Sequence, residues 1–352
     1  MKRLNALIRL ARYSFTGRRP ASPINLQLLV TTRCNISCLH CSDDVWGDSK
    51  EDLSLQEIDT FSNNLGHVEV VELGGGEPFL RNDLADICEL FVRKNRVRML
   101  GIATNSFATD TISTEVRRIL EKCPGATLNL LLSLDGFAPT HDAIRRPGSF
   151  DRTMEMARRL TAMKKEFSRL SFFFNATIHS SNWRELPALS RFLRKEFHAD
   201  LEFNVLSGKP RDASLRLPSM ADLEQTIDGI YAAREASSYM ADWLHVYRDL
   251  RLKTYAENRQ VIPCRAGSLS GMVYANGNVH ACPKLPPLGN LRNNSFQSIW
   301  HSAEAQRNFH SIRRGACACD GDCFLIVSLL NHWKLPFLML QERLKRREAK
   351  PV

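Results

Sequence analysis

The chain contains no run of about 18 uninterrupted apolar residues, the length that a helix needs to cross a bilayer. It has no acidic residue before Asp43, although seven Lys and Arg side chains precede that position. Arg9 and Arg12 interrupt the apolar residues of the basic opening segment, so it lacks the continuous apolar centre of a secretory signal. The expectation is a cytoplasmic protein. Thiols stay reduced in that compartment, so the ten cysteines read as metal ligands and core residues rather than a disulfide framework. Internal repeats and low-complexity tracts are absent, as is any zinc-finger, RNP or helix-turn-helix signature. That last absence bears on the net charge of +10, which reads as a solvated basic fringe at the two ends. No specific nucleic-acid partner is expected. A composition of 43% apolar and 24% charged residues excludes a wholly disordered or collagen-like chain. The 352 residues suffice for more than one domain.

What is present is an alternation of apolar strands and amphipathic helices. Strands are predicted at 25–31, 68–73, 97–103, 127–133, 169–178 and 200–206, with helices near 55–65, 83–95, 112–122, 151–166 and 184–197 between them. Such alternation implies parallel βαβ units, with right-handed crossovers that curl the sheet into an open or partial barrel. Functional groups in sheets of this kind gather at the C-terminal strand ends. The pattern changes after about residue 210. The predicted organisation is a basic segment (1–22), a core barrel (23–210), a helical connector (211–257), a small cysteine-rich domain (258–323) and an amphipathic basic tail (324–352). A hairpin is predicted within GMVYANGNVHAC, turning at Asn276–Gly277.

Directly after the first strand comes TTRCNISCLHC, in which Cys34, Cys38 and Cys41 are spaced Cys-x3-Cys-x2-Cys. Soft thiolates suit iron–sulfur clusters, and three of them within eight residues can hold three corners of one cubane. No fourth cysteine lies nearby, so one iron is left open for a substrate. Zinc is the competing metal, but its sites usually pair Cys-x2-Cys modules, and only Cys38 and Cys41 fit that here.

This motif resembles the signature of the radical S-adenosylmethionine (SAM) superfamily, and the alternating region to about 206 resembles that family's partial (β/α)6 TIM-like barrel. The resemblance implies an α/β fold and an enzyme. In that family the methionyl amine and carboxylate of SAM bind the open iron, and the reduced cluster yields a 5′-deoxyadenosyl radical that abstracts a substrate hydrogen. Gly74-Gly75-Gly76-Glu77-Pro78 at the end of the second strand resembles the family's GGEP segment, which binds the methionyl amine. The glycines allow close backbone approach to a ligand, and Glu77 can accept from an ammonium. Strand three ends in Thr104-Asn105 and strand four in Ser133-Leu134-Asp135-Gly136, with Arg145 twelve positions beyond Ser133. By resemblance Ser133 and Arg145 hold the methionyl carboxylate, and an arginine fork suits that task. His40 stands where relatives place an aromatic near the adenine. The expected cofactor-binding residues are thus Gly75, Gly76, Glu77, Pro78, Asn105, Ser133, Asp135, Arg145 and His40.

Five cysteines follow the barrel: Cys264, Cys282, Cys317, Cys319 and Cys323. Cys264 and Cys282 bracket the hairpin, and GNLRNNSFQSIWHSAEAQ precedes CACDGDC. This order resembles the SPASM/twitch extension, which carries auxiliary iron–sulfur clusters with full cysteine ligation. Four thiolates saturate one [4Fe–4S] cluster, so one auxiliary cluster is expected on Cys264, Cys282, Cys319 and Cys323, with Cys317 replacing Cys319 or staying free. Zinc is again the alternative. Cys88 and Cys123 lie on helical patterns and read as core residues. Pro283 follows Cys282, where sulfatase-maturating relatives carry an aspartate base, and that counts against their activity. His280 and Lys284 flank the hairpin and read as solvated.

The tail from Phe324 to Leu340 is rich in Leu, Phe and Ile, includes Trp333 and leads into ERLKRR. Two readings stand: an apolar helix packed on the barrel with a solvated end, or peripheral contact with an anionic membrane, which would point to a lipid-linked substrate. The leading function is a radical SAM oxidoreductase or maturase. Its substrate would be a peptide that is oxidised or cross-linked, or a carbohydrate-like or lipid-linked small molecule that is dehydrogenated. An external reductant such as flavodoxin or ferredoxin would serve it. The alternatives are a non-catalytic iron–sulfur electron carrier and a zinc-stabilised nucleic-acid-binding module.

Overall fold

Six strands form in the order that the apolar periodicity requires: β1 (Asn25–Thr31), β2 (Val70–Gly75), β3 (Met99–Thr104), β4 (Thr127–Ser133), β5 (Leu170–Ile178) and β6 (Leu201–Val205). The computed structural model describes residues 20–42, 51–234, 238–318 and 322–348. Each strand pairs in parallel with the next. The crossovers run through α1 (Leu55–Leu65), α2 (Leu84–Lys94), α3 (Thr109–Lys122), α4 (Ala138–Ile144) with α5 (Ser149–Met163), and α6 (Leu186–Phe197). The sheet does not close on itself, because β6 is one of its edges.

Successive strand residues point to opposite faces, and the two faces here differ in chemistry. Leu26, Leu28 and Val30 of β1, Leu128, Leu130 and Leu132 of β4, and Leu170, Phe172 and Phe174 of β5 are buried in one continuous core with the helices. The other face carries Gln27, Glu72, Asn129, Ser133, Ser171, Asn175 and Thr177, all partly exposed. Asn25 and Gln27 donate from β1 to the Glu72 carboxylate of β2 across this face. Local sequence fixes where the helices start. At α1, Ser54 accepts from the Glu57 amide while Glu57 accepts from the Ser54 amide, satisfying donors that a helix leaves unpaired.

The hairpin forms as predicted, with β7 (Ser270–Val273) and β8 (Asn278–His280) joined at Gly277, whose φ is +87°. It does not make a sheet of its own. β7 pairs in parallel with β1, and β9 (Gly289–Asn290) follows β8, so among the described residues one nine-stranded sheet runs β6-β5-β4-β3-β2-β1-β7-β8-β9. The short helix α9 (Phe296–Trp300) seats fully buried Trp300 on this junction. A methyl group at Gly271 would stand 2.7 Å from the Trp300 ring, so β7 needs glycine there.

After β6 come α7 (Met220–Ala232) and α8 (Ser238–Glu257). Helix α10 (Ala303–Arg313) precedes the last cysteines. The apolar run 324–340 is not the single helix expected. It divides into α11 (Asp322–Leu330) and α12 (Leu335–Glu348), whose axes turn by 91°. Pro336 in the first turn of α12 explains the break, because a proline ring clashes with the helix that precedes it. Among the described residues no single helix is long and apolar enough to cross a membrane.

Candidate active site

The cysteine loop leaves β1 at the C-terminal rim and is held from three directions. From β2, the Gly76 amide donates to the Thr31 carbonyl at 2.9 Å and the Glu77 amide to the Arg33 carbonyl at 2.8 Å. From α4, the Ile144 carbonyl accepts from the Leu39 amide at 2.9 Å. From beyond β6, the Arg211 amide donates to the Cys41 carbonyl at 2.9 Å and the Asp212 amide to the Leu39 carbonyl at 2.8 Å. Thus the loop spans the mouth of the open barrel, from the end of β1 to the segment after β6. The glycines make this clamp possible. A Cβ at Gly75 would lie 2.2 Å from the Thr31 carbonyl oxygen, and one at Gly76 would lie 1.9 Å from that of Arg33.

A cavity of about 570 Å³ opens beneath the loop. Cys34, Cys38 and Cys41 all line it, with six of the nine expected cofactor residues: Gly75, Gly76, Asn105, Ser133, Arg145 and His40. The other three, Glu77, Pro78 and Asp135, stand directly behind that wall. The buried Glu77 carboxylate accepts from the Thr104 hydroxyl at 3.0 Å, the Asn105 amide at 2.7 Å and the Phe79 amide at 3.3 Å. Its side chain therefore ties the end of β2 to the end of β3. Pro78 is buried and opens the short 3₁₀ turn Pro78–Leu80. Asp135 is fully buried, where it accepts from the Arg145 Nε at 2.5 Å and from the Thr177 amide at 2.8 Å.

Arg145 is thereby aimed. Its side chain is 7% exposed, Nε faces Asp135, and Nη1 stands 3.7 Å from the Cys38 Sγ. Asn105 Nδ2 lies 3.7 Å from the Cys34 Sγ and donates to Asn35 at 2.8 Å. Burial pushes the Cys38 thiol up to about 11, with Arg145 opposing and Asp135, Cys41 and Cys34 adding to the rise. Thiolates packed together in this way require a metal's positive charge to coexist. Burial brings the His40 imidazole down to about 4, so it is neutral at pH 7, with Nδ1 lying 3.7 Å from Asp135 Oδ2. Sequence reasoning missed Asn175, Thr177 and Arg211, which also line the cavity. The only signal for the first two is a polar residue at alternate positions of β5.

Among the described residues no three His, Cys, Asp or Glu side chains converge on a single ion. A cubane instead takes each thiolate on a separate iron, and three soft donors around one cavity fit that group. The guanidinium beside Cys38 and the Ser133 hydroxyl fit a carboxylate laid next to it.

A second thiol group lies beyond the hairpin. Cys264, Cys282 and Cys317 pack around Ala266, Ala281, Ile312 and Phe324. Gln260 bridges two of them, accepting from the Cys264 amide at 3.0 Å and donating to the Cys317 Sγ at 3.2 Å. Burial pushes the Cys264 thiol up to about 11, and its neighbours Cys317 and Cys282 add to the rise. Cys317 thus sits with the group, as the alternative in which it replaces Cys319 requires. Cys319 and the side chain of Cys323 lie outside the described residues. Cys88 and Cys123 are buried in the main core, as expected. His280 is half-buried, with its Nδ1 2.9 Å from the Leu285 carbonyl and its ring 4.5 Å from that of Tyr274.

The sequence profile of the Radical SAM superfamily matches residues 28–193, and that of the SPASM iron–sulfur cluster-binding domain matches residues 264–324. The chain therefore carries a radical SAM domain followed by a SPASM domain. It is an enzyme of the radical SAM class with a SPASM domain, built to use a [4Fe–4S] cluster, SAM and auxiliary iron–sulfur. The AdoMet-dependent heme synthase of Methanosarcina barkeri is 28% identical over 306 residues, covering 79% of this chain and 82% of that relative. The mycofactocin maturase MftC of Mycobacterium tuberculosis is 26% identical over 341 residues, covering 86% of this chain and 78% of MftC. Among solved structures, Streptococcus suis SuiB bound to S-adenosylmethionine superposes with a TM-score of 0.61 at 16% identity, over 94% of this chain and 79% of SuiB. That likeness establishes the shared fold.

Proposed function

We propose that this radical SAM enzyme oxidises or cross-links a peptide, with Cys34, Cys38 and Cys41 holding the SAM-binding cluster. The observation that carries the site assignment is the convergence of three thiols and the aimed guanidinium of Arg145 on one cavity wall. Bound there, the reduced cluster supplies the electron that splits SAM into methionine and a 5′-deoxyadenosyl radical, which takes a hydrogen atom from the substrate. The chain's own residues orient and seclude. Arg145 and Ser133 take the methionyl carboxylate, and Asp135 holds Arg145 in place. Asn105 and Arg145 donate toward the thiolates of Cys34 and Cys38, and such bonds tune the potential of a cluster. The cysteine loop covers the cavity and limits water. Cys264, Cys282 and Cys317, with a fourth thiolate from Cys319 or Cys323, hold an auxiliary cluster that accepts the substrate-radical electron or binds the substrate. Support for a peptide substrate comes from SuiB, which shares the fold and has been solved bound to its precursor peptide SuiA, and from the relatives named maturases, such as MftC. A flavodoxin or ferredoxin is the proposed reductant and the cytoplasm the proposed location.

A second reading rests on charge. The cavity wall presents Arg145 and Arg211 and no carboxylate among the described residues, which suits an anionic haem precursor, and one relative is named a heme synthase.

The test is anaerobic reconstitution followed by reaction with dithionite and SAM. About eight irons are expected from two cubanes, together with release of 5′-deoxyadenosine. Cys38→Ala should abolish that release. Cys264→Ala with Cys282→Ala should remove about four irons and stop substrate turnover, while uncoupled SAM cleavage survives. Incubation with candidate peptides and, separately, with iron coproporphyrin decides the substrate by mass: loss of two hydrogens from a peptide supports the first reading, and change of the porphyrin supports the second. Zinc without sulfide in the reconstituted protein would refute both cluster assignments.

A further inference from the structure

The C-terminal helix has two apolar faces, and the body of the protein uses one. Met339 is buried, and Leu335 and Leu338 pack with it against Val246, Tyr247 and Leu250 of α8 and Leu329 of α11. Arg343 Nε donates to Asp242 Oδ2 at 2.8 Å, fixing the rotation of α12. The opposite face presents Phe337, Leu340 and Leu344, 58%, 54% and 50% exposed, and Trp333, 62% exposed, stands in the turn just before the helix. The three helical positions are spaced by three and four residues and make one stripe that Trp333 extends at its start. Leu330 at the end of α11 joins them, so five of the nine large apolar side chains exposed in the described residues lie here. Patches gathered in this way mark a contact surface rather than incidental exposure.

Charge indicates what the surface contacts. Lys334 and Lys345 are exposed at the two ends of the stripe, and the Lys334 ammonium lies 5.1 Å from the centre of the Trp333 ring. From 334 to 350 the sequence has six Lys and Arg against two Glu, of which Glu342 is turned inward, 9% exposed. Residues 1–19 would be a poor cover, because their six Lys and Arg are unopposed by any acid and repel the same cations. A second copy would bring the same positive charges.

We propose that this face docks on an anionic phospholipid surface, with α12 lying in the headgroup plane and Trp333, Phe337, Leu340 and Leu344 entering the acyl boundary. Basic side chains flanking an apolar helical stripe are the features that bind such surfaces. The helices lie on the membrane and do not cross it. α12 has fourteen residues and α11 nine, and the 91° turn keeps them from adding up to one span. The docking also fixes where the chemistry occurs. α11 begins at Asp322–Cys323, and its Phe324 packs among Cys264, Cys282 and Cys317, so the second thiol group would be held close to the lipid. The inference does not depend on which substrate is modified.

Co-sedimentation of the full chain with sucrose-loaded vesicles tests it, using phosphatidylcholine alone and phosphatidylcholine with about one third phosphatidylglycerol. At low salt, partition to the anionic vesicles should be at least about tenfold stronger and should weaken as salt is raised. Phe337→Ser with Leu340→Ser should reduce it by about tenfold or more. Both side chains are exposed, so the variant's thermal unfolding should stay unchanged. Lys334→Glu with Lys345→Glu should erase the preference for anionic lipid. Three outcomes would overturn the proposal: no binding to either vesicle, equal binding to both, or full binding by the double Ser variant. A wild-type dimer that the double Ser variant converts to monomer in light scattering would assign the stripe to a second copy, and would also refute it.

Discussion

Arg145 carries two duties that can be separated by substitution. It faces the cavity beside Cys38, and it neutralises the fully buried Asp135. Arg145→Ala should weaken SAM binding by roughly 1.5–3 kcal/mol, the scale of hydrogen bonds to a charged group, measured by calorimetric titration. It also strands a buried carboxylate, which should cost roughly 3–5 kcal/mol of stability in denaturant unfolding. Adding Asp135→Asn should return part of that stability and none of the affinity. Glu77 gives a pH signature. Burial pushes its carboxyl up to about 7, against the pull of its three donors. The unfolded chain releases that proton near pH 4.3, so stability is greatest below that value and falls as pH rises toward 7. Glu77→Gln should remove a loss of roughly 3–4 kcal/mol across that window in cofactor-free protein. If urea unfolding gives the same gap between variant and wild type at pH 5 and pH 8, Glu77 is already ionised under its donors. At this scale the sequence identifies Cys34, Cys38, Cys41 and Arg145, because short spacings persist in the fold. It does not reveal Arg211, which reaches the cavity through chain reversal far along the sequence, nor the direction in which Glu77 points.

Among elements, the junction of β2 with the cysteine loop is the least forgiving. A methyl group on Gly76 meets a backbone carbonyl, which no rotamer change can relieve. Gly76→Ala should therefore displace the loop. Reconstituted protein should hold about four irons instead of about eight and release no 5′-deoxyadenosine, while the C-terminal thiol group stays loaded. Retention of all the iron would show that the loop can shift without losing its thiols. The barrel strands were legible to within about two residues, since alternating burial writes itself into each of them. The hairpin was legible from Asn276–Gly277. The turn between α11 and α12 was not, because an apolar run reads the same in one helix or two, and only the effect of Pro336 on the preceding turn separates them. Helices α4 and α9 are too short to show a period.

At the level of the whole molecule, sequence composition divides the chain near residue 257, but hydrogen bonding does not. β7 lies beyond that point and completes β1, and Trp300 closes over their junction. A chain ending at residue 257 would leave β1 with an open edge at the base of the active loop. It should aggregate or lose cooperative unfolding, whereas calorimetry of the full chain should show β1 and β7 melting together. A stable, cooperatively folded 1–257 would show that the barrel stands alone. Sheet continuity could not be read in advance, because strand partners this distant in sequence leave no local pattern. The same pairing sets a clock on biosynthesis. Roughly 240 residues separate the paired ends of β1 and β7, so a ribosome adding about 5–20 residues per second takes roughly 12–50 s to deliver the missing partner. For that interval the nascent chain has a one-sided strand and three reduced, uncovered thiols beside it. The segment that ties down Cys41 emerges only with Arg211, so iron delivered earlier would meet an unfinished cradle.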